Sequence, residues 1–502
     1  MLAIVLQFVT RTVFIHTLGR EYLGIGGLFN NILSMLSLAE FGVGSAIIFK
    51  LYEPIARNDQ QRIKALMDFY KIVYRMIGVV IAVLGVVLIP FLPVLIRDYD
   101  KLEQMRINVV FIYLLYLLKS VATYLFFAYK GSLIRAHQKE YILNLVNYVL
   151  MIALTVVQVV TLILFRNYTL YLFLALSEIV LENLVGALIA DRMYPYLKEP
   201  VTEQIDRKEL IDIVKDCSAL FLYRMNGVVL KATDNIVISM FLGIGAVGLY
   251  SNYVIFYTTL NSLFAKVYNS ISHGLGNLHT VHDSNREYRV FKSVNLITAI
   301  IGGTAGVGLF VVADEFVRIW VGSDWVIPQP FSLLLGLEVY TLAVRQELSK
   351  YRNSMGLFQQ AKYRPVASMI INLIVSVALV QSLGITGVLI GTVAADWLTL
   401  MWFDPIIIHK YGFKEPGLTK GYFYRLLVYT LEVAVIGAID WLICSHVFVG
   451  YGWFSVAAHA LICGCSVPVF ILALSSGSEE GKYVWGLASK QAGRIWRKVR
   501  KH

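Results

Sequence analysis

The stretch IGVVIAVLGVVLIPFLPVLI, Ile77 to Ile96, decides the class of fold. It carries no charged side chain. A hydrocarbon core about 30 Å thick takes about 20 apolar residues in one helical crossing. This run is long enough to make that crossing alone, and similar runs recur from end to end. Hydrophobic residues make up 58% of the 502 and charged residues only 15%. A soluble domain carries about 25% charged residues. The chain therefore reads as an all-α integral membrane protein, with no soluble domain left over once the runs are marked.

Apolar segments fall at roughly 1–19, 24–52, 70–96, 107–130, 141–165, 169–190, 216–242, 245–271, 291–312, 328–350, 364–383, 385–408, 424–448 and 452–474. That predicts about 14 transmembrane helices. Twelve is the alternative count, because Gly243-Ile244-Gly245 and Leu383-Gly384-Ile385 are short breaks. The first segment begins at Met1 without a basic head, which raises the expectation that the native start lies upstream.

The net charge of +11 would suggest nucleic acid in a soluble protein. Here the basic residues collect in alternate loops. Loops after even-numbered spans hold Arg57, Arg62 and Lys64, then Arg135 and Lys139, and later Lys410, Lys414 and Lys420. The tail adds Lys490, Arg494, Arg497, Lys498, Arg500 and Lys501. Lys and Arg are enriched on the cytoplasmic side, so both termini are expected there. The four cysteines lie in or beside apolar runs and lack CxxC spacing. They read as small buried hydrophobes, with no disulfide framework or metal site.

The chain also repeats. YKGSLIRAHQKEY (Tyr129–Tyr141) aligns with YRNSMGLFQQAKY (Tyr351–Tyr363) at an offset of 222 residues, with Lys130 opposite Arg352. An offset of 221 pairs Gly27-Leu28 with Gly248-Leu249 and Asn31 with Asn252. The offset spans about six helices, an even number, so the halves insert in the same orientation. Secondary transporters use such repeats and bind substrate where the halves meet. The expected organisation is an N-lobe over 1–190, a cytoplasmic linker over 191–215, a C-lobe over 216–410, two further spans over 411–474 and a basic tail over 475–502.

Ionisable residues inside the membrane cost at least about 2.5–3.5 kcal/mol and need a partner or a wet cavity. Arg11, in FVTRTVFIHTLG, sits too deep in its span for easy snorkelling. It is either an anion-binding group or half of an ion pair, for example with Glu40. Arg224, Lys231 and Asp234 share one face of span 7, and Lys231 and Asp234 are spaced to neutralise each other. Arg224 could also snorkel. Glu178 and Glu182 form an i,i+4 acidic pair, the pattern of a proton-coupling site. The alternative is neutralisation by a cation on a neighbouring helix. Glu338, Thr341 and Arg345 make a weaker stripe, and Asp396, Asp404, Glu432 and Asp440 remain unassigned. Three histidines in HGLGNLHTVH (His273–His282) have no zinc spacing and read as a solvated loop.

The segments Phe8–Phe49, KATDNIVISMFLG (Lys231–Gly243) and YPYL (Tyr194–Leu197) resemble Wzx-type polysaccharide flippases. That family is related to MurJ-type lipid II flippases and MATE exporters. The resemblance implies two lobes of six helices arranged as a V, plus two C-terminal helices lining a groove for a lipid tail. It implies alternating-access transport of an undecaprenyl-pyrophosphate-linked oligosaccharide across the cytoplasmic membrane, for capsule or related surface glycan. A first-span arginine is a functional position in such proteins, and Arg11 matches it. The substrate-binding residues expected are Arg11, Arg224, Lys231, Asp234, Asn31 and Asn252, with Glu40, Glu178 and Glu182 as ion-coupling candidates. No cofactor is expected beyond an H⁺ or Na⁺ gradient. The partners expected are the lipid-linked oligosaccharide, membrane lipids, and polysaccharide polymerase and assembly proteins, with no nucleic acid. A MATE-like cation antiporter would favour acidic cavity residues. A membrane polymerase or ligase would be expected to carry a long external loop, and the external loops here are short. The chain is therefore read as a transporter rather than an enzyme.

Overall fold

The computed structural model describes residues 2–40, 43–200, 205–206, 232–280 and 284–486, so Arg224 and Lys231 lie outside the described residues. The described chain is helical throughout and divides into two compact units, Met1–Gly248 and Leu249–His502.

Unit 1 contains α1 (Leu2–Leu18), α2 (Arg20–Leu36), α3 (Val43–Ala56), α4 (Gln60–Leu88), α5 (Val109–Leu125), α6 (Ala128–Ala136), α7 (Glu140–Phe165) and α8 (Tyr168–Met193). Polar residues set the helix starts. Asp59 accepts from Arg62 N at 3.0 Å, Asn108 from Phe111 N at 2.9 Å and Asn167 from Leu170 N at 3.1 Å. Each satisfies one backbone donor that the first turn leaves open. A 3₁₀ turn at Ser37–Glu40 interrupts the second span between α2 and α3. The fourth span bends by 46° between α5 and α6.

The short helix α9 (Ala232–Leu242) and the start of α10 (Ile244–Thr280) also belong to unit 1. Asp98 accepts from Ile244 N at 2.8 Å, and Ser239 Oγ donates to the Leu95 carbonyl at 2.7 Å. A Cβ on Gly24 would lie 2.0 Å from the Ile244 carbonyl oxygen, and one on Gly248 2.3 Å from that of Arg20. Only glycine permits this backbone approach. The compact division therefore falls after Gly248, later in the chain than the 191–215 linker expected from the loops.

Unit 2 holds the rest of α10, then α11 (Ser284–Val321), α12 (Phe331–Ser354), α13 (Arg364–Leu383), α14 (Ile385–Leu398), α15 (Leu400–Ile407), α16 (Leu418–Cys444) and α17 (Trp453–Leu474). Its core gathers on α11 and α12, where Phe291 meets Tyr351 at 4.6 Å between ring centroids. The two short breaks both end helices, with Gly243 at φ +91° and Gly384 at φ +61°. The histidine-bearing stretch expected as a loop instead continues α10 to Thr280.

Among the described residues, eight helices are long and apolar enough to cross a membrane, or nine if α5 and α6 form one span. Apolar side chains such as Leu145, Val149, Val156 and Ile163 line the outside of α7. In water such a surface would be a liability; against lipid it is the solvated face. This is a multi-pass membrane protein.

Candidate functional site: a charged track on α8

The helix α8 carries Tyr171, Glu178 and Glu182. Spacings of seven and four residues put them on one face. The helix packs against α5 and α7, and α1 packs on α7. Phe14 of α1 meets Tyr171 edge-to-face at 5.4 Å, which brings α1 onto the same face. Arg11, three residues before Phe14, is half-buried and within electrostatic reach of Tyr171. Tyr171 in turn senses Glu178.

The acidic pair has a neighbour that sequence reasoning missed. Lys119, on α5, interacts electrostatically with both Glu178 and Glu182. It stands in LLYLLKSVATYL, a single cation in an apolar span. The rule that picked out Arg11 would have picked it out too. The outcome is a track of Arg11, Tyr171, Glu178, Lys119 and Glu182 through unit 1. The track holds two carboxyls and two cations, of which Lys119 interacts with both carboxyls and Arg11 with Tyr171, so its charges sum to zero with all four ionised. A proton on either carboxyl would leave it cationic.

Glu40 lies apart from this track, at the break in the second span. Its Oε1 accepts from the Tyr74 hydroxyl at 2.6 Å and its Oε2 from that of Tyr124 at 2.8 Å. Among the described residues no cation is within ion-pair distance of Glu40, so it does not serve as the partner of Arg11. Asn31 donates to the Gly27 carbonyl of its own helix at 3.0 Å. Asp234 is buried on α9, and Asn252 is buried on the part of α10 that belongs to unit 2.

Unit 2 gathers charges that the sequence left scattered. Arg345 of α12 pairs with Asp396 of α14, donates to the Tyr257 hydroxyl and lies 3.6 Å from Glu338. Further along, Asp404 of α15 accepts from Arg352 at 2.9 Å and sits 3.2 Å from Arg364. Equivalent residues of the repeat do equivalent work. Lys130, opposite Arg352 in the alignment, reaches Asp191 at the end of α8 at 2.6 Å. The helices α16 and α17 also border a groove of about 370 Å³, walled by Val428, Leu431, Val435, Phe470 and Leu474 with Glu432 at its side.

Helices tied by ion pairs within each unit, with apolar side chains on the exterior, define a polytopic membrane protein. The solved structure titled lipid II flippase MurJ, inward closed conformation, matches with a TM-score of 0.61 at 14% identity, covering 94% of this chain and 99% of that one. An inward-facing multidrug resistance MATE family transporter of the MOP superfamily matches with a TM-score of 0.59 at 16% identity, covering 80% and 94%. No sequence-family model and no curated protein matches the chain. The chain shares its fold with these transporters.

Proposed function

We propose that the protein is a flippase that moves an undecaprenyl-pyrophosphate-linked oligosaccharide across the cytoplasmic membrane by alternating access, for surface-glycan synthesis. The observation that carries this reading is the charged track on α8, with Arg11 and Lys119 as its cations. A pyrophosphate cannot cross hydrocarbon unaided. Arginine offers a planar, permanently charged fork for phosphate oxygens, and lysine a mobile point charge. Fixed cations would replace the hydration of the head group. The groove between α16 and α17 supplies an apolar wall for the polyprenyl tail.

Glu178 and Glu182 give the cycle its switch. Proton uptake by one of them turns a neutral track cationic and strengthens its hold on the anionic head. Proton loss restores Lys119 to its carboxylates and releases the substrate. Glu40, held by two tyrosines, is the second coupling candidate. This assignment keeps the about 14 spans, the cytoplasmic termini and the lobes at 1–190 and 216–410 as parts of the proposal. Polymerase and assembly proteins would take the product on the far side.

The reading is tested in proteoliposomes loaded with defined lipid-linked oligosaccharide. The intact chain should move it to the opposite leaflet, and Arg11→Ala should abolish that movement while remaining folded. Undiminished flipping by Arg11→Ala would remove the arginine from the mechanism. Cation-drug efflux without flipping would favour the antiporter, the reading that the acidic pair and the MATE-like fold support.

A further inference from the structure

Two of the cysteines, which the sequence presents as small buried hydrophobes, meet across a helix pair in unit 2. Cys444 is the last residue of α16, and Cys463 lies inside α17. Both are free thiols, 5% and 1% exposed. The helices are joined by the short connection 445–452 and pack against each other. Two hydrogen bonds fix their register. On one side of the cysteines, His459 Nε2 donates to the Val447 carbonyl at 2.8 Å. On the other, Ser466 Oγ donates to Asp440 Oδ2 at 2.5 Å. Cys444 stands four residues from Asp440, and Cys463 stands three from Ser466 and four from His459. Such spacings are one helical turn, so the cysteines form the rung between the two bonded ones. Their thiols are within hydrogen-bonding reach of each other, and the Cys463 thiol also reaches the Asp440 carboxylate.

This arrangement supplies what a disulfide needs. The attacking species is a thiolate, and Asp440 is placed to take the Cys463 proton. A further cysteine, Cys465, is exposed and two residues from Cys463, so it lies on a different face of α17. The register therefore selects Cys463 as the partner of Cys444.

We propose that Cys444 and Cys463 are an oxidative modification site, converted by a peroxide into an intramolecular disulfide. The Cys463 thiol gives its proton to Asp440, and the thiolate attacks one oxygen of hydrogen peroxide. The O–O bond breaks and the sulfur becomes a sulfenic acid. The leaving hydroxide takes the proton from Asp440 and departs as water. The Cys444 sulfur then attacks the sulfenic sulfur. The S–S bond forms, the S–O bond breaks, and a second water leaves with the Cys444 proton. Two thiols are oxidised and one peroxide is reduced. The new bond lies at one end of the groove bordered by α16 and α17, and it ties those two helices together there, whatever substrate the protein carries.

A sequence-specific protease site inserted after Gly450, in the exposed connection, makes the bond readable. The full chain in detergent is treated with hydrogen peroxide, its remaining thiols are capped with maleimide, and it is then cut. On a denaturing gel without reductant the two fragments should run together as one chain, and reductant should part them. Cys444→Ser and Cys463→Ser should each lose the linkage completely, with an unoxidised Tm that shows the fold intact. Cys465→Ser and Cys217→Ser should keep it. If one of the first two variants does not fold, the other decides. If neither folds, mass spectrometry of the oxidised chain reads the linked residues directly. Wild-type fragments that separate after peroxide overturn the site. So does a linkage that survives Cys463→Ser and is lost in Cys465→Ser, because the exposed thiol would then be the partner.

Discussion

The two halves solve one task in different materials. In unit 1, Lys130 and Asp191 join the fourth and sixth spans, with side chains 16% and 22% exposed. In unit 2, Arg352 and Asp404 join the matching spans at 4% and 0% exposure, and Arg364 adds a second cation to the same carboxylate. Deeper in, unit 1 sets one lysine against two glutamates, while unit 2 locks Arg345 onto Asp396. Lysine is a mobile point charge and arginine a rigid fork. The two units thus hold different centres, a soft, resettable one in unit 1 and a fixed frame in unit 2.

The comparison can be broken at four points. The largest effect should come from Asp404→Ala, which leaves two buried guanidiniums without their carboxylate. Removing one partner from a buried pair costs about 3–5 kcal/mol, so heat-unfolding in detergent should drop steeply or folded protein should disappear. A small loss would mean that the frame is not what holds unit 2. Next, Lys119→Ala should leave folded protein that no longer flips lipid-linked oligosaccharide, and Lys119→Arg should recover part of the flux. Equal flux in all three would make Lys119 a packing residue.

Asp191→Asn should cost only about 1 kcal/mol, because a partly exposed pair is screened by water. A cost equal to that of Asp404→Ala would erase the contrast between the halves. The smallest effect is expected at the surface of unit 2, where Lys292 donates to Glu479 at 3.0 Å. The nearby ammonium holds the Glu479 carboxyl below the usual carboxylate range. A lowered carboxyl favours the fold above its unfolded titration range, and the benefit fades as pH falls through the folded one. Glu479→Gln should therefore narrow the difference in stability between neutral and acidic pH only slightly, as read from Tm against pH.

The fold class was legible because lipid-facing helices need apolar residues on most sides, and runs such as Ile77–Ile96 leave no other reading. Arg11, Glu178 and Glu182 were legible because charges stand out against such a background. Lys119 stands out on the same ground, as a lone cation in LLYLLKSVATYL. The pairings were not legible, since Lys119 and Glu182 lie on different helices and nothing local links them. Asp396 and Asp404 stayed unassigned for the same reason. The compact division after Gly248 was not legible in loop charge, which marks membrane sidedness, whereas compactness follows contacts such as Gly24 against Ile244.

The double grip on Asp404 has a further consequence. Arg352 ends one helix and Arg364 begins the next, so one carboxylate holds both flanks of the connecting segment Met355–Tyr363. The chain there is fastened like a buckled strap. Exposed loop tips are where proteases cut, and Phe358 and Tyr363 are exposed. A single cut in this segment should leave both ends in their seats, and the nicked protein should migrate as one piece until it is denatured.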